Sequence, residues 1–451
     1  MEQGYCSDQF CRFLLGSGPI KLLFYVEPLT ELEQPLFHEA WIKFSANVAG
    51  ALYNGGFVTK GHRLRMLTNT SLGKVAPTYG FEGDLLTEIK EQDLLDVFGE
   101  NYLAATIRGY RGELTETELE KAAAVILKAL DKFKPDIVIT YTTAPWLRTA
   151  FPEALIFHME YGLYSRPPFP ESFYLDPLGK FGNSTLSQYV GDLRSYQAKG
   201  SERNLVKNFR KRYLDDILKP NSPFKDMCDG LRKKFEHLML LPLQFSGHYG
   251  FEGTSTYTSQ DGLLQDVIEN VPDSTCVIAL PHSTAIHMTR EFPDPKLLES
   301  LIAENDNLFM NAEMSRIIFP SQFMLAHMDS VASVSSSVAL QGLLWGHTIY
   351  AVGNSHINAI ADYEGINALQ QQGPQVDDDQ KVSMLGWLLS HYHIPGLYLH
   401  DPDWIMAHMQ KSLDKWRDGV RGLEFFERID HPAVIERVIH ESGRPGIPIY
   451  K

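Results

Sequence analysis

Cysteine is scarce in this chain: there are four in 451 residues, Cys6, Cys11, Cys228 and Cys276. Their irregular spacing supplies neither a disulfide framework nor a paired zinc motif, and it suits a reducing cytosol. The sequence also lacks an apolar run of about 18 residues, so nothing in it is expected to span a bilayer. Its start has no charged lead-in and no long apolar segment, despite Phe13-Leu14-Leu15. It therefore does not read as a signal peptide, and a loose leader is expected over residues 1–20 of a protein working in the cytoplasm. Basic residues are outnumbered as well: 41 Lys and Arg against 56 Asp and Glu leave a net charge of −15. A general nucleic-acid binder needs a basic footprint, so that class is excluded.

What remains is a globular composition, 44% apolar and 22% charged, in a chain too long for one ordinary core. Short apolar runs alternate with longer helical patterns, the signature of parallel α/β layers. Strands are expected at residues 21–26, 62–68, 135–140 and 154–158. A second series follows at 238–243, 276–280, 308–310, 330–334 and 348–352. Helical periodicity marks 36–52, 85–98, 115–133 and 404–437, with Thr115 and Thr117 as candidate caps of the third. Between the two series, residues 201–235 form a long, basic, helix-forming stretch. Residues 370–379 read as a solvated surface loop, and Asp401-Pro402-Asp403 as a helix cap.

The most informative stretch is 330–353. A β-type run reaches Ser335, Ser336 and Ser337, a helix-forming segment follows, Gly346 stops it, and a second β-type run begins. The serines fall at a helix N-terminus, where unpaired backbone N–H groups and the helix dipole favour an anion such as phosphate. Serine also caps helices in any α/β protein, so the anion reading depends on the other strand ends.

Three of these carry polar groups. Phe157-His158-Met159-Glu160-Tyr161-Gly162 ends a β-type run in a carboxylate and a glycine. Ile278-Ala279-Leu280-Pro281-His282 ends one in an imidazole. Leu241-Pro242-Leu243-Gln244 opens a loop bearing Gly247, His248, Gly250, Glu252 and Gly253, where glycines allow close backbone approach to a ligand. Open α/β sheets bind ligands beyond the C-terminal ends of their strands. Glu160 there can exchange a proton with a hydroxyl or bind a sugar, and His282 can donate to phosphate or carboxylate oxygens.

In order, Glu160-x-Gly162, Pro170-x-Ser172-x-x-Leu175-Asp176-x-x-Gly179, Leu241-x-x-Gln244, His282 and Ser335-Ser336 resemble the motifs of bacterial polysaccharide β-Kdo transferases, where Kdo is 3-deoxy-manno-octulosonic acid. These glycosyltransferases act in capsule and lipopolysaccharide O-antigen assembly. Bacterial sialyltransferases are more distantly similar. The resemblance covers residues 160–346. It implies an α/β fold of GT-B architecture, two Rossmann-like domains facing across a cleft. The expected division is an acceptor domain over 21–215, a nucleotide-sugar domain over 216–400, and a helical segment over 401–451 that packs back on the junction.

The resemblance further implies transfer of Kdo from CMP-Kdo to a saccharide or lipid-linked saccharide acceptor, with retention of configuration and no cofactor or metal. It puts Glu160 in the catalytic cleft, His282 on the donor's phosphate or carboxylate, Ser335 and Ser336 on the CMP phosphate, and Gln244 on the donor side. The sequence departs from the pattern at Ser283, where proline is usual, and at Gln341, where glutamate is common. The acidic residue expected after the Leu-x-x-Gln strand has no direct match; His248 lies near its place, and Glu252 is the nearest carboxylate and the candidate nucleophile. Two other readings stand beside this one: an enzyme using CMP-sialic acid or a UDP-sugar, and a non-catalytic polysaccharide-assembly binding protein. The basic stretch reads as a solvated helix face or, alternatively, as a peripheral contact with anionic lipid of the inner membrane.

Overall fold

The computed structural model describes residues 18–26, 35–162, 167–244, 246–282, 295–311, 314, 317 and 319–429. The leader up to residue 17, Ser283 and the end of the 404–437 helix lie outside these.

Two sheets organise the described residues. The first contains β1 (Lys21–Val26), β2 (Arg63–Asn69), β3 (Leu86–Ile89), β4 (Ile137–Thr140), β5 (Leu155–Tyr161) and β6 (Ser172–Asp176). The second contains β7 (His237–Pro242), β8 (Thr275–Leu280), β9 (Leu308–Phe309), β10 (Ser330–Ser333), β11 (Thr348–Ala351) and β12 (Tyr363–Glu364), in the order β12-β11-β10-β7-β8-β9. A last short strand, β13 (Ile394–Pro395), joins the first sheet and completes the order β13-β6-β5-β4-β1-β2-β3. All pairs of the second sheet, and those among β1 to β5, are parallel; β6 runs antiparallel to β5 and β13. The central strands are apolar and buried on both faces, as β1 and β8 show, which is what helices on both sides of a parallel sheet demand. The result is the expected pair of Rossmann-like domains, facing across a cleft in the GT-B manner.

Several sequence expectations needed correction. Residues 85–98 are not one helix: Leu86–Ile89 pairs with Met66–Asn69, and a helix begins only at Glu91. Pairing with an existing sheet edge outweighs helical periodicity there. The 201–235 stretch is broken into the Gly200–Arg210 helix, a wider turn in which Lys219 N–H reaches Leu214 O, and the Lys225–Leu231 helix. Pro220, which has no N–H to give, stands at the break. The turn-rich segment after Glu160 contains a buried strand, Ser172–Asp176. The C-terminal helix ends at Arg417, just before Gly419, whose φ is 81°.

The chain also recrosses to the first domain earlier than residue 401, because Ile394 and Pro395 already pair with Phe173 and Ser172. Beyond them, Asp401 accepts bonds from Asp403 N and Trp404 N, both at 3.0 Å, and caps the Pro402–Arg417 helix as its sequence suggests. That helix packs against the Pro35–Asn54 helix of the first domain. Residues 377–379 are more than a solvated run: Asp377 caps the Asp378–Trp387 helix, while Asp378 and Asp379 pair with Arg210 and Arg203. Arg232 likewise pairs with Asp329. Three arginines of the basic 201–235 stretch, Arg203, Arg210 and Arg232, are thus turned onto acids of the same chain. Among the described residues no helix is long and apolar enough to cross a membrane.

Candidate functional site

The two sheets aim their strand ends at a shared cavity of about 180 Å³. From the first domain come Glu160 and Tyr161 at the end of β5, Tyr174 on β6, and Phe181 and Leu186 beyond it. From the second come Gln244 after β7, His248, His282 after β8, Ser335 to Ser337 and Leu340 after β10, and His356 after β11. The returning segment adds Leu388, Tyr392 and His393. In the second sheet the strand order reverses between β7 and β10, the place where such sheets form a binding crevice. Gln244 and the serines flank that reversal.

Gln244 spans the crevice with both ends of its amide. Its Nε2 donates to Ser335 Oγ at 2.8 Å, and its Oε1 accepts from Ser335 N at 3.1 Å. Ser335 Oγ in turn donates to the Gly250 carbonyl in a short bond. Ser336 is the cap of the Ser337–Trp345 helix, its Oγ accepting from Val338 N at 3.3 Å. The hydroxyl proton of Ser335 is therefore already used within the protein, and the backbone N–H of Ser336 goes to Ser333 Oγ. Ser337 is exposed at the first helical position. Its hydroxyl and the helix N-terminus are best placed to meet an anion.

Across the cleft, Glu160 Oε1 accepts the N–H of Tyr161 at 2.9 Å, and Oε2 lies 2.5 Å from Lys180 Nζ. Burial pushes the Glu160 carboxyl up, but the Lys180 charge and hydrogen bond, with the Tyr161 N–H, outweigh it and hold the group below its ordinary value. Glu160 is an anion at neutral pH. For Lys180, burial disfavours the ammonium, while Glu160 and Tyr249 overcome this and raise it above its ordinary value.

The imidazoles behave in the opposite way. Burial, helped by Lys180, lowers His248 to about 4; burial alone lowers His356 to about 4, against the pull of Glu160. Burial lowers His393 to about 3. His248 Nδ1 accepts from Gly250 N at 3.1 Å, which leaves the ring proton on Nε2. His393 Nδ1 donates to Leu388 O at 3.1 Å, which makes Nε2 its unprotonated nitrogen.

Seven residues singled out in the sequence thus meet in one cleft: Glu160, Gln244, His248, His282, Ser335, Ser336 and Ser337. Two do not line it. Glu252 turns its carboxylate back to accept the Gly247 N–H and brace its own loop. Gln341 is buried on its helix, 3% exposed. Both are near the motifs in sequence, but neither side chain reaches the cleft. Sequence reasoning missed Lys180, Tyr174, His356, Tyr392 and His393. Lys180 had a signal, since it directly follows Leu-Asp-x-x-Gly; His356 and His393 had none, because each is carried to the cleft by distant chain. Among the described residues no group of three or more His, Cys, Asp or Glu is arranged to hold a metal ion.

No protein-family profile matches the chain. No curated protein matches it in sequence either. Among solved structures it is similar to the β-Kdo 2,7 transferase KpsC of Thermosulfurimonas dismutans, at 12% identity over 68% of this chain and 96% of that one, with a TM-score of 0.37. It is also similar to a glycosyltransferase from Rickettsia africae, at 12% identity over 95% and 100% of the two chains and a TM-score of 0.33. A third similar structure is the UDP-GlcNAc 2-epimerase of Neisseria meningitidis, at 11% identity over 86% and 98% and a TM-score of 0.29.

Proposed function

We propose that this protein is a glycosyltransferase that moves Kdo from CMP-Kdo to a saccharide or lipid-linked saccharide acceptor in bacterial surface-polysaccharide assembly. The observation that carries the reading is the cleft itself. An anion-accepting helix N-terminus at a sheet's switch point faces, from the other domain, the one carboxylate among the described lining residues, Glu160. Ser337 and the N–H groups of its helix would take the CMP phosphate, with Gln244 and His282 beside it.

The donor sugar's anomeric carbon then lies toward Glu160. As its C–O bond to phosphate breaks, the electron pair leaves with CMP, and the carboxylate opposes the positive charge that develops on the sugar. The acceptor hydroxyl bonds to that carbon as the bond to phosphate breaks, and its proton passes to the Glu160 carboxylate. Glu160, ionised beside Lys180, serves as proton acceptor or charge partner and not as a general acid.

Calorimetric titration with CMP, followed by turnover with CMP-Kdo, tests the proposal. Glu160→Gln is expected to keep CMP binding and to lose transfer by about 10²–10⁴-fold; full transfer by this variant would falsify the role of Glu160. Binding of UDP in place of CMP would replace the donor class, and binding of neither nucleotide would favour a non-catalytic glycan-binding protein.

A further inference from the structure

Lys180 has a side chain only 2% exposed, yet it reaches both domains. The turn that carries it is tied by Asp176, a buried carboxylate that accepts from Leu178 N (2.9 Å), Gly179 N (3.2 Å), Thr185 N (2.8 Å), Thr185 Oγ1 (2.9 Å) and Tyr392 Oη (2.9 Å). Gly179 is required in that turn, because a Cβ there would come within 2.6 Å of the Asn183 carbonyl oxygen. The Lys180 ammonium has three protons and meets three acceptors: Glu160 Oε2 at 2.5 Å, Tyr141 O at 2.9 Å and Tyr249 Oη at 2.9 Å.

Glu160 and Tyr141 belong to the first domain. Tyr249 belongs to the second, on the short Tyr249–Glu252 turn whose Gly250 carbonyl receives the Ser335 hydroxyl. A continuous set of contacts therefore joins the serine loop to Glu160 through Gly250, Tyr249 and Lys180. The titratable groups acting on Glu160 or acted on by it are Lys180, Tyr174, His248 and His356, with His282 acting on His248. At neutral pH the tyrosine is protonated, His248 and His356 are neutral, and Lys180 supplies the positive charge.

We propose that Lys180 is a positioning residue that couples the two domains to the reacting carboxylate: anchored by Tyr249, its ammonium holds Glu160 as an anion aimed into the cleft. The inference rests on the glycosyltransferase reading only for what Glu160 reacts with. A buried ammonium needs its acceptors, so withdrawing the second domain would take one from Lys180 and loosen its hold on Glu160. The donor-binding domain thereby helps to set the charge and direction of the catalytic carboxylate.

The test is a pH titration of the full chain labelled with ¹³C at glutamate carboxyls, the Glu160 resonance being assigned with Glu160→Gln. Lys180→Met should raise the Glu160 midpoint by about 1–3 pH units. Tyr249→Phe, which removes a single hydroxyl and keeps the ring, should raise it less and in the same direction. In turnover with CMP-Kdo, the acidic limb of the pH profile should move with the NMR midpoint, lowering kcat while CMP affinity stays unchanged. An unmoved Glu160 midpoint in either variant would overturn the proposal, in Lys180→Met by denying its hold on Glu160 and in Tyr249→Phe by denying the coupling to the second domain. Because the titration needs no donor, it reports on Lys180 even where CMP fails to bind and the glycosyltransferase reading falls.

Discussion

Gly162, the glycine of the Glu-x-Gly motif, lies where β5 leaves the sheet beside the cleft, and replacing it with alanine should damage both stability and site. Its N–H donates to Ser172 O at 2.8 Å, so the backbone is pinned across to β6. A Cβ there would overlap Ser172 Oγ, approach His393 Cδ2 to 2.7 Å and lie 3.2 Å from the Ser172 backbone carbon. The serine hydroxyl can rotate away. The His393 ring cannot move easily, since it is buried and its Nδ1 and backbone N–H are both bonded to Leu388 O. The backbone carbon is held in a strand. Overpacking of this kind costs about 1–3 kcal/mol, a sizeable part of a total stability of about 5–15 kcal/mol. Urea denaturation of Gly162→Ala should show that loss, and turnover should fall because His393 is pushed from the cleft. Ser172→Ala alone should be close to neutral, because its buried Oγ has no hydrogen-bond partner among the described residues. The double variant should regain only part of the loss. A Gly162→Ala protein that unfolds at the parent's urea midpoint would refute this steric account of the motif.

Two further predictions concern buried charge. Lys381 and Asp362, 1% and 0% exposed, form an ion pair at 3.0 Å. Among the described residues, Lys381→Met leaves the carboxylate with the Ile349 and Val376 N–H groups, and thermal or urea unfolding should reveal a loss of about 3–5 kcal/mol; a loss below about 1 kcal/mol would mean that the pair is not desolvated as it looks. The second concerns acid. His248, His347, His356 and His408 are lowered to about 4, and His158 and His393 to about 3, burial being the leading cause in each. Unfolded histidines take up protons near pH 6.5. The unfolded state therefore binds more protons as pH falls below that value, and stability, complete above it, drains away toward pH 4. The depressed Glu160 carboxyl extends the same trend at still lower pH. Urea midpoints measured from pH 7 to pH 4.5 should fall steadily, and a profile flat down to pH 5 would contradict the burial of these rings.

Much of the site could be read along the chain because it is built from local units. A β-type run followed by a polar residue places that residue at a strand end, whatever the rest of the fold does. Glu160, Gln244, His282 and the serine run were each legible on those terms, as were the strand at residues 21–26 and the helix cap at Thr115. Local pattern misled where a partner at long range competed with it. Leu86–Ile89 has helical spacing but takes an open sheet edge.

Side-chain direction was beyond the sequence as well: Glu252 and Gln341 sit in the right neighbourhoods and do not reach the cleft. Sequence alone determined that the chain alternates strands and helices in two series, and which strand ends carry carboxylate, imidazole and hydroxyl, because periodicity of 2 or 3.6 residues is a local property. Only the tertiary structure decided that these ends meet in one cleft, that Lys180 makes Glu160 an anion, and that Tyr249, His356 and His393 join it. Those outcomes depend on contacts such as Lys180 with Tyr249 and Asp176 with Tyr392, 69 and 216 residues apart in sequence. Packing of the two domains creates them, and no local pattern encodes it.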